Sequence, residues 1–273
     1  MKNQKSIFSM LIALMTVFIW GTMQTNAEAK SLKGKEVVIY LVRHGETTAN
    51  VMHRAQGWSD FTLTKNGVKG AQYLGRGLKN IHFDSAYSGD LTRQEKTAKG
   101  ILKYSKNNKV KLKIDSGLRE DNYGSYEGLP DVGKAIPDIA HYYGYKNGDE
   151  FLKKTGKNAM SKMQDGYYKL DQKKRLDTDL PSKYRAESAE MVEKRMNKSL
   201  TQIAKKNKGN TLVVSSGMSI SLFLSQLNSS KYTGAPMKND AVTKLVYKDG
   251  KFKILGEIGT LKYFTQGKKE IEK

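Results

Sequence analysis

Three short segments of this 273-residue chain carry side chains from which chemistry could be built. The first is Arg43-His44-Gly45. A neutral imidazole is a competent nucleophile near neutral pH, and a guanidinium is a permanently charged planar donor that grips phosphoryl oxygens in pairs. Together they suit phosphoryl transfer, although one Arg-His pair taken by itself reads more simply as a satisfied structural pair at a strand end. The second segment is Ser88 to Arg93, which places Arg93 just after a short strand and at the positive end of a helix, where anions are favoured. The third is Ser215-Ser216-Gly217. All three follow predicted strands, and open α/β sheets bind ligands beyond the carboxyl ends of their strands, so the three can converge.

The elements that must position them alternate between strand and helix. Glu36 to Val42 is a continuous β-branched and apolar run, the mark of a buried parallel strand, and it stops at Arg43. Thr64 caps a helix carrying Val68, Ala71, Leu74 and Leu78 at helical spacing, although Gly67, Gly70, Gly75 and Gly77 weaken it. A short strand at Ser85 to Ser88, a helix from Thr92 to Tyr104 and a strand from Val110 to Ile114 follow. Ser188 caps a helix with Val192, Met196, Leu200 and Ile203 on one face, which leads to the strand Thr211 to Val214 and a helix from Ser219 to Leu227. Ala241 to Tyr247 and Phe252 to Ile258 form a hairpin across Asp249-Gly250. The expected fold is α/β: a three-layer, mostly parallel sheet flanked by helices. The expected additions are a helical insertion at about 129–185 that forms a lid and the C-terminal hairpin.

Composition narrows the classes. One domain with an insertion suits this length, with 38% hydrophobic residues to form its core. Without cysteine there is no disulfide, thiolate metal site or cysteine nucleophile. The formal charge of +21 attracts polyanions, but no nucleic-acid-binding signature accompanies it. A lysine-rich solubilising surface that also adheres to anionic cell-wall polymers is the plainer reading, and phosphorylated substrates would be drawn in as well. The first residues follow the layout of an export signal: Lys2 and Lys5, an apolar run from Ile7 to Trp20, and Ala27-Glu28-Ala29 as a cleavage site. Residues 1–29 are therefore expected to be removed after Ala29, leaving 30–273 as the domain at the cell surface or in the medium. The alternative is a retained anchor helix.

The stretch LVRHGETTANVMHRAQGWSDFTLTKNGVKGAQ resembles the signature of the histidine phosphatase superfamily, which includes phosphoglycerate mutases and many phosphatases. The resemblance implies that His44 is the phosphorylated nucleophile and Arg43 a phosphate ligand, with Asn50, Gln56 and Gly57 lining the pocket. Ser88-Gly89-Asp90-Leu91-Thr92-Arg93-Gln94-Glu95-Lys96-Thr97 matches the family segment that supplies a second phosphate-binding arginine, here Arg93. Leu118-Arg119-Glu120 opens a segment whose first glutamate is the family's general acid, here Glu120, and its continuation to Glu127-Gly128 resembles the phosphatase branch. Glu187-Ser188 matches a further family dipeptide. At Val214-Ser215-Ser216-Gly217 the chain departs from the pattern, because Ser216 occupies the place of the family's second histidine, and the resemblance implies that its hydroxyl faces the pocket as a substrate-binding group. Losing one transition-state donor typically costs about a hundredfold to a thousandfold in rate. His53, His82 and His141 are the other histidines that could stand in.

Two functions follow. One is a secreted phosphomonoesterase that works through phosphohistidine on a phosphorylated small molecule, without metal or organic cofactor and with turnover reduced by Ser216. The other is an extracellular binding protein for phosphorylated ligands or wall polymers that has lost turnover. A phosphoglycerate mutase fits less well, given the export signal and the phosphatase-like Glu120 segment. No ligand cluster supports metal hydrolysis.

Overall fold

The computed structural model describes residues 36–173, 176 and 179–273. The expected export signal and cleavage site lie outside them. Strand β1, Val37–Arg43, is followed by the short helix α1, Thr48–Met52, and by α2, Lys65–Gly77. Next come β2, Ser85–Ser88, α3, Thr92–Tyr104, and β3, Leu112–Ile114. The insertion holds α4, Ile136–Tyr142, α5, Gly148–Thr155, and α6, Ala159–Gln172. The chain returns through α7, Ala189–Lys206, to β4, Gly209–Ser215, and α8, Gly217–Ser225. It closes with β5, Val242–Lys248, β6, Lys251–Thr260, and α9, Lys262–Ile271.

The six strands form one sheet in the order β3-β2-β4-β1-β5-β6. The first four are mutually parallel, whereas β5 runs antiparallel to β1 and β6 antiparallel to β5. The expected hairpin is present, turning through Asp249 and Gly250, both at positive φ. Alternation along β1 divides its side chains between two cores: Ile39 and Leu41 face one side, Tyr40 and Val42 the other. The first core is closed by α7, α8 and the insertion, and the second by α2, α3 and Tyr263 of α9. This is the three-layer α/β arrangement expected.

Capping fixes the helices where the sequence placed them. Thr64 Oγ1 accepts from the Gly67 N–H at 3.0 Å and Ser188 Oγ from the Met191 N–H at 3.3 Å. The glycines of α2 are close-approach positions: a Cβ on Gly77 would lie 1.8 Å from the Tyr263 carbonyl oxygen, and one on Gly267 would lie 1.8 Å from that of Tyr73. Their absence of side chains lets α2 and α9 pack backbone to backbone. Helix α9 was not expected from the sequence, because half its residues are polar and its partner is a glycine-marked face. Among the described residues, no helix is long and apolar enough to cross a membrane.

Candidate active site

The carboxyl ends of β1, β2 and β4 lie side by side, and backbone bonds link the loops that leave them. His44 N–H donates to Ser215 O at 3.0 Å, and Gly89 N–H to Val214 O at 3.1 Å. His44 is buried, 1% exposed. Its Nδ1 lies 2.8 Å from the Gly45 carbonyl oxygen, so Nδ1 carries the proton and Nε2 keeps its lone pair. Arg93 Nε donates to that Nε2 at 3.3 Å. Burial first, then Arg93 and Arg43, holds the imidazole well below its usual pKa of 6.5, against a smaller opposing effect of the Gly45 carbonyl. A neutral imidazole whose Nε2 is unprotonated is the form that can attack phosphorus once Arg93 turns its donor to the phosphoryl group.

Arg93 is fully buried and held from behind. Its terminal nitrogens donate to the carbonyls of Ser59 at 2.9 Å, Gln56 at 3.0 Å and Gly57 at 2.7 Å. Gln56 and Gly57 therefore contribute backbone carbonyls to this arginine, while the Gln56 side chain accepts from the Thr47 hydroxyl at 2.7 Å. Arg43 donates one terminal nitrogen to the Met237 carbonyl, and its buried Nε has no hydrogen-bond partner. An unmatched buried guanidinium donor is costly unless something anionic meets it. Asn50 sits at the third position of α1 in a capping box with Thr47, and its Oδ1 also accepts from Asn239 Nδ2 at 3.1 Å.

Glu120 approaches from the far side. Its Oε1 accepts from the Ser219 N–H at 2.9 Å and its Oε2 from the Met218 N–H at 3.4 Å, so the carboxyl group rests on the first turn of α8. Arg43, Asn50, Gln56 and Glu120 line one cavity of about 260 Å³. A larger groove of about 690 Å³ beside the 231–238 loop and β6 contains none of the residues singled out from the sequence.

A model of the histidine phosphatase superfamily (branch 1) matches residues 39–150 and 147–257, which include every one of these side chains. This chain belongs to the histidine phosphatase superfamily. A crystal structure of a phosphoglycerate mutase from Bacillus anthracis is similar to it with TM-score 0.77 and 35% identity, over 87% of this chain and 99% of that one. Phosphoserine phosphatase from Entamoeba histolytica, at 23% identity and TM-score 0.57 over 83% of this chain and 99% of that one, shares the fold. A broad-specificity phosphatase of Saccharomyces cerevisiae is 39% identical over 93 residues, which are 33% of this chain and 40% of the relative. Fructose-2,6-bisphosphatase TIGAR of Mus musculus is 42% identical over 92 residues, 33% of this chain and 34% of the relative. The aligned part thus spans less than half the length of these curated relatives.

In this chain Ser216, like His44 and Arg93, is not among the residues that line the cavity. It is fully buried as the residue before α8, and its Oγ accepts from Gln94 Nε2 at 2.8 Å. Gln94 also donates to the Leu118 carbonyl at 3.1 Å, and a Cβ on Gly89 would lie 1.9 Å from its Oε1. Gly89, Gln94 and Ser216 therefore fit as a set, with the amide occupying space that two small residues leave. His53 is exposed at the left-handed end of α1, His82 is an exposed residue beside Asp84, and His141 bonds the Lys146 carbonyl. None of the three lines the cavity.

Two supporting residues escaped the sequence reading. Glu127 accepts four backbone N–H groups, from Gly57, Trp58, Ser59 and Tyr123, at 2.7–3.1 Å, and so shapes the loop whose carbonyls hold Arg93. Arg195 grips Glu187 through two bonds of 2.8 Å and donates to the carbonyls of Gly117, Arg119 and Glu120, fixing the loop that carries Glu120. An arginine between Val192 and Met196, on the buried side of α7, was the available signal for the second. Nothing marked Glu127 apart from its place in the family segment.

Proposed function

We propose that this protein is a phosphomonoesterase acting through a phosphohistidine on residue 44. The observation that carries the reading is the neutral, buried His44 with Arg93 Nε against its Nε2, next in sequence to an Arg43 that lines the cavity and has an unmatched buried Nε. The two guanidinium groups bind the phosphoryl oxygens. Nε2 attacks phosphorus, the ester P–O bond breaks, and Glu120 in its acid form gives its proton to the departing alkoxide. Glu120, now a carboxylate, takes a proton from water. The resulting hydroxide attacks the phosphohistidine, the N–P bond breaks, and inorganic phosphate leaves with His44 restored. The insertion helices α4 to α6 form one wall of the cavity and serve as its lid. The N-terminal segment directs the domain out of the cytoplasm, with cleavage after Ala29.

The burial of Ser216 against Gln94 favours a second reading, in which the same pocket holds phosphorylated ligands or wall polymers and turnover has been lost. Phosphate release from phenyl phosphate by the protein and by His44→Ala separates the two. Turnover lost in the variant, with acid-labile phosphate on His44 by mass spectrometry, supports the enzyme. Equal rates for both proteins leave the binding reading. N-terminal sequencing of protein from the culture medium tests export and the cleavage point.

A further inference from the structure

The cavity that ends on Arg43 is walled by apolar side chains out of proportion to the composition of the chain. Beyond the phosphoryl end it is lined by Met160, Met163, Tyr167 and Leu152 of the insertion, by Tyr123, and by Met218 at the start of α8. The rings of Tyr123 and Tyr167 stack with centroids 4.5 Å apart. In a chain of net charge +21, no lysine is among the described residues that line this cavity. The lysines of α6 turn outward instead: Lys162 and Lys169 lie over the Tyr143 ring and Lys173 over that of Tyr142. The charged groups in the lining are Arg43, Arg54, Glu120 and Asp131. One terminal nitrogen of Arg54 donates to the Gly128 carbonyl at 2.7 Å. Among the described lining residues the cations are therefore these two arginines, set against a wall of methionine, leucine and tyrosine side chains.

We propose that the substrates are phosphomonoesters of uncharged, apolar alcohols, aryl ones above all, and that phosphoglycerates are poor substrates. The methionines supply polarizable, adaptable surface that makes favourable contact with an aromatic ring, and the stacked tyrosines form a flat wall beside them. A polar glycerate group seated against Met160, Met163 and the tyrosine rings would exchange water for thioethers and ring faces. One methylene in an apolar pocket is worth roughly 10- to 200-fold in kcat/KM, so a whole ring supports a preference of at least tenfold.

The inference rests on the phosphatase reading of this cavity, and the test separates the two. The kcat/KM values of the purified protein are compared for 1-naphthyl phosphate, phenyl phosphate, glycerol 3-phosphate and 3-phosphoglycerate. Binding of 1-naphthylmethylphosphonate and methylphosphonate, which cannot be hydrolysed, is measured by calorimetry on the protein and on His44→Ala. The expected order is naphthyl above phenyl, with both at least tenfold above the two polar esters, and naphthylmethylphosphonate binding at least tenfold tighter than methylphosphonate. Leu152→Lys, at the half-buried rim, is expected to reduce the naphthyl-to-phosphoglycerate ratio at least tenfold, and Met163→Gln to reduce it with no charge added. Absence of turnover with the phosphonate preference intact would sink the catalytic reading and keep the apolar site. Turnover with equal or better use of 3-phosphoglycerate, or equal binding of the two phosphonates, overturns the apolar site.

Discussion

Replacing Ser216 by histidine, the residue that the family pattern places there, is predicted to fail alone and to succeed together with Gln94→Ala. Ser216 Oγ and Gln94 Nε2 are 2.8 Å apart in a site with no solvent exposure on either residue. An imidazole extending beyond the Oγ position would enter the space of the Gln94 amide. That amide cannot retreat toward position 89, where even a Cβ would lie 1.9 Å from its Oε1. Overpacking of this kind costs about 1–3 kcal/mol, and the bond from Gln94 to the Leu118 carbonyl adds about 1 kcal/mol if it breaks. For a domain of this size each kcal/mol lowers the melting midpoint by roughly 2–4 °C, so Ser216→His should melt roughly 4–16 °C below the parent. Gln94→Ala removes the obstructing atoms. The double variant should recover most of that loss and turn over phenyl phosphate about a hundredfold to a thousandfold faster than the parent, the usual worth of one transition-state donor. Thermal melts and initial rates of all four proteins complete the cycle. A single variant as stable as the parent and fully activated would show that Gln94 does not obstruct position 216. A stable double variant with the parent's rate would show that residue 216 does not limit turnover.

Three further outcomes follow from the same contacts. Glu127→Gln weakens a carboxylate that gathers four N–H groups, so the loop beneath Arg93 should loosen. A loss of about 1–3 kcal/mol and at least a tenfold rise in KM are expected, and unchanged kinetics would remove its positioning role. Asp240 is raised by burial from 3.8 to about 7, while its unfolded form titrates near 3.8, so the folded state binds the extra proton between these values. Stability from this group is therefore present at low pH and lost as pH rises from about 4 through 7, by up to about 4 kcal/mol; denaturant melts of Asp240→Asn should lack that decline. His44 has the opposite sign. Its folded pKa is depressed well below 6.5, so the unfolded chain takes up the proton first and stability falls as pH drops below 6.5, a fall that His44→Asn should flatten. The parent's kcat/KM should show no protonation step near 6.5, and one found there and assigned to His44 by NMR would contradict the buried geometry.

The parts of this architecture set by local pattern were legible in the sequence. An apolar run ending at Arg43, the Thr64 and Ser188 caps and the Asp249-Gly250 turn each involve neighbours within a few residues, and each is found as expected. The meeting of His44 and Arg93 was legible through the strand-end rule, whereas Glu120 was singled out only by the family motif. What the sequence hid depends on partners distant along the chain. The glycines of α2 looked like weaknesses until Tyr263 and Gly267 supplied the packing helix some 190 residues away. Ser216 looked like a vacancy open to the pocket, because its partner Gln94 is a residue of α3 that no spacing connects to it.

The site's two halves are held by separate backbone networks, and neither passes through residue 216. Glu127 orders the N–H groups of residues 57–59, whose side of the chain also presents the carbonyls that clamp Arg93 beside His44. Glu187 and Arg195 clamp the carbonyls of residues 117, 119 and 120, and the first turn of α8 receives the Glu120 carboxyl group. Arg93 beside His44, and Glu120, are therefore held by contacts that do not pass through position 216. A serine there removes a donor and a potential positive charge from the phosphoryl end without releasing any group that remains. The expected consequence is slower chemistry at nearly unchanged geometry, so that kcat should respond to position 216 and KM to Glu127.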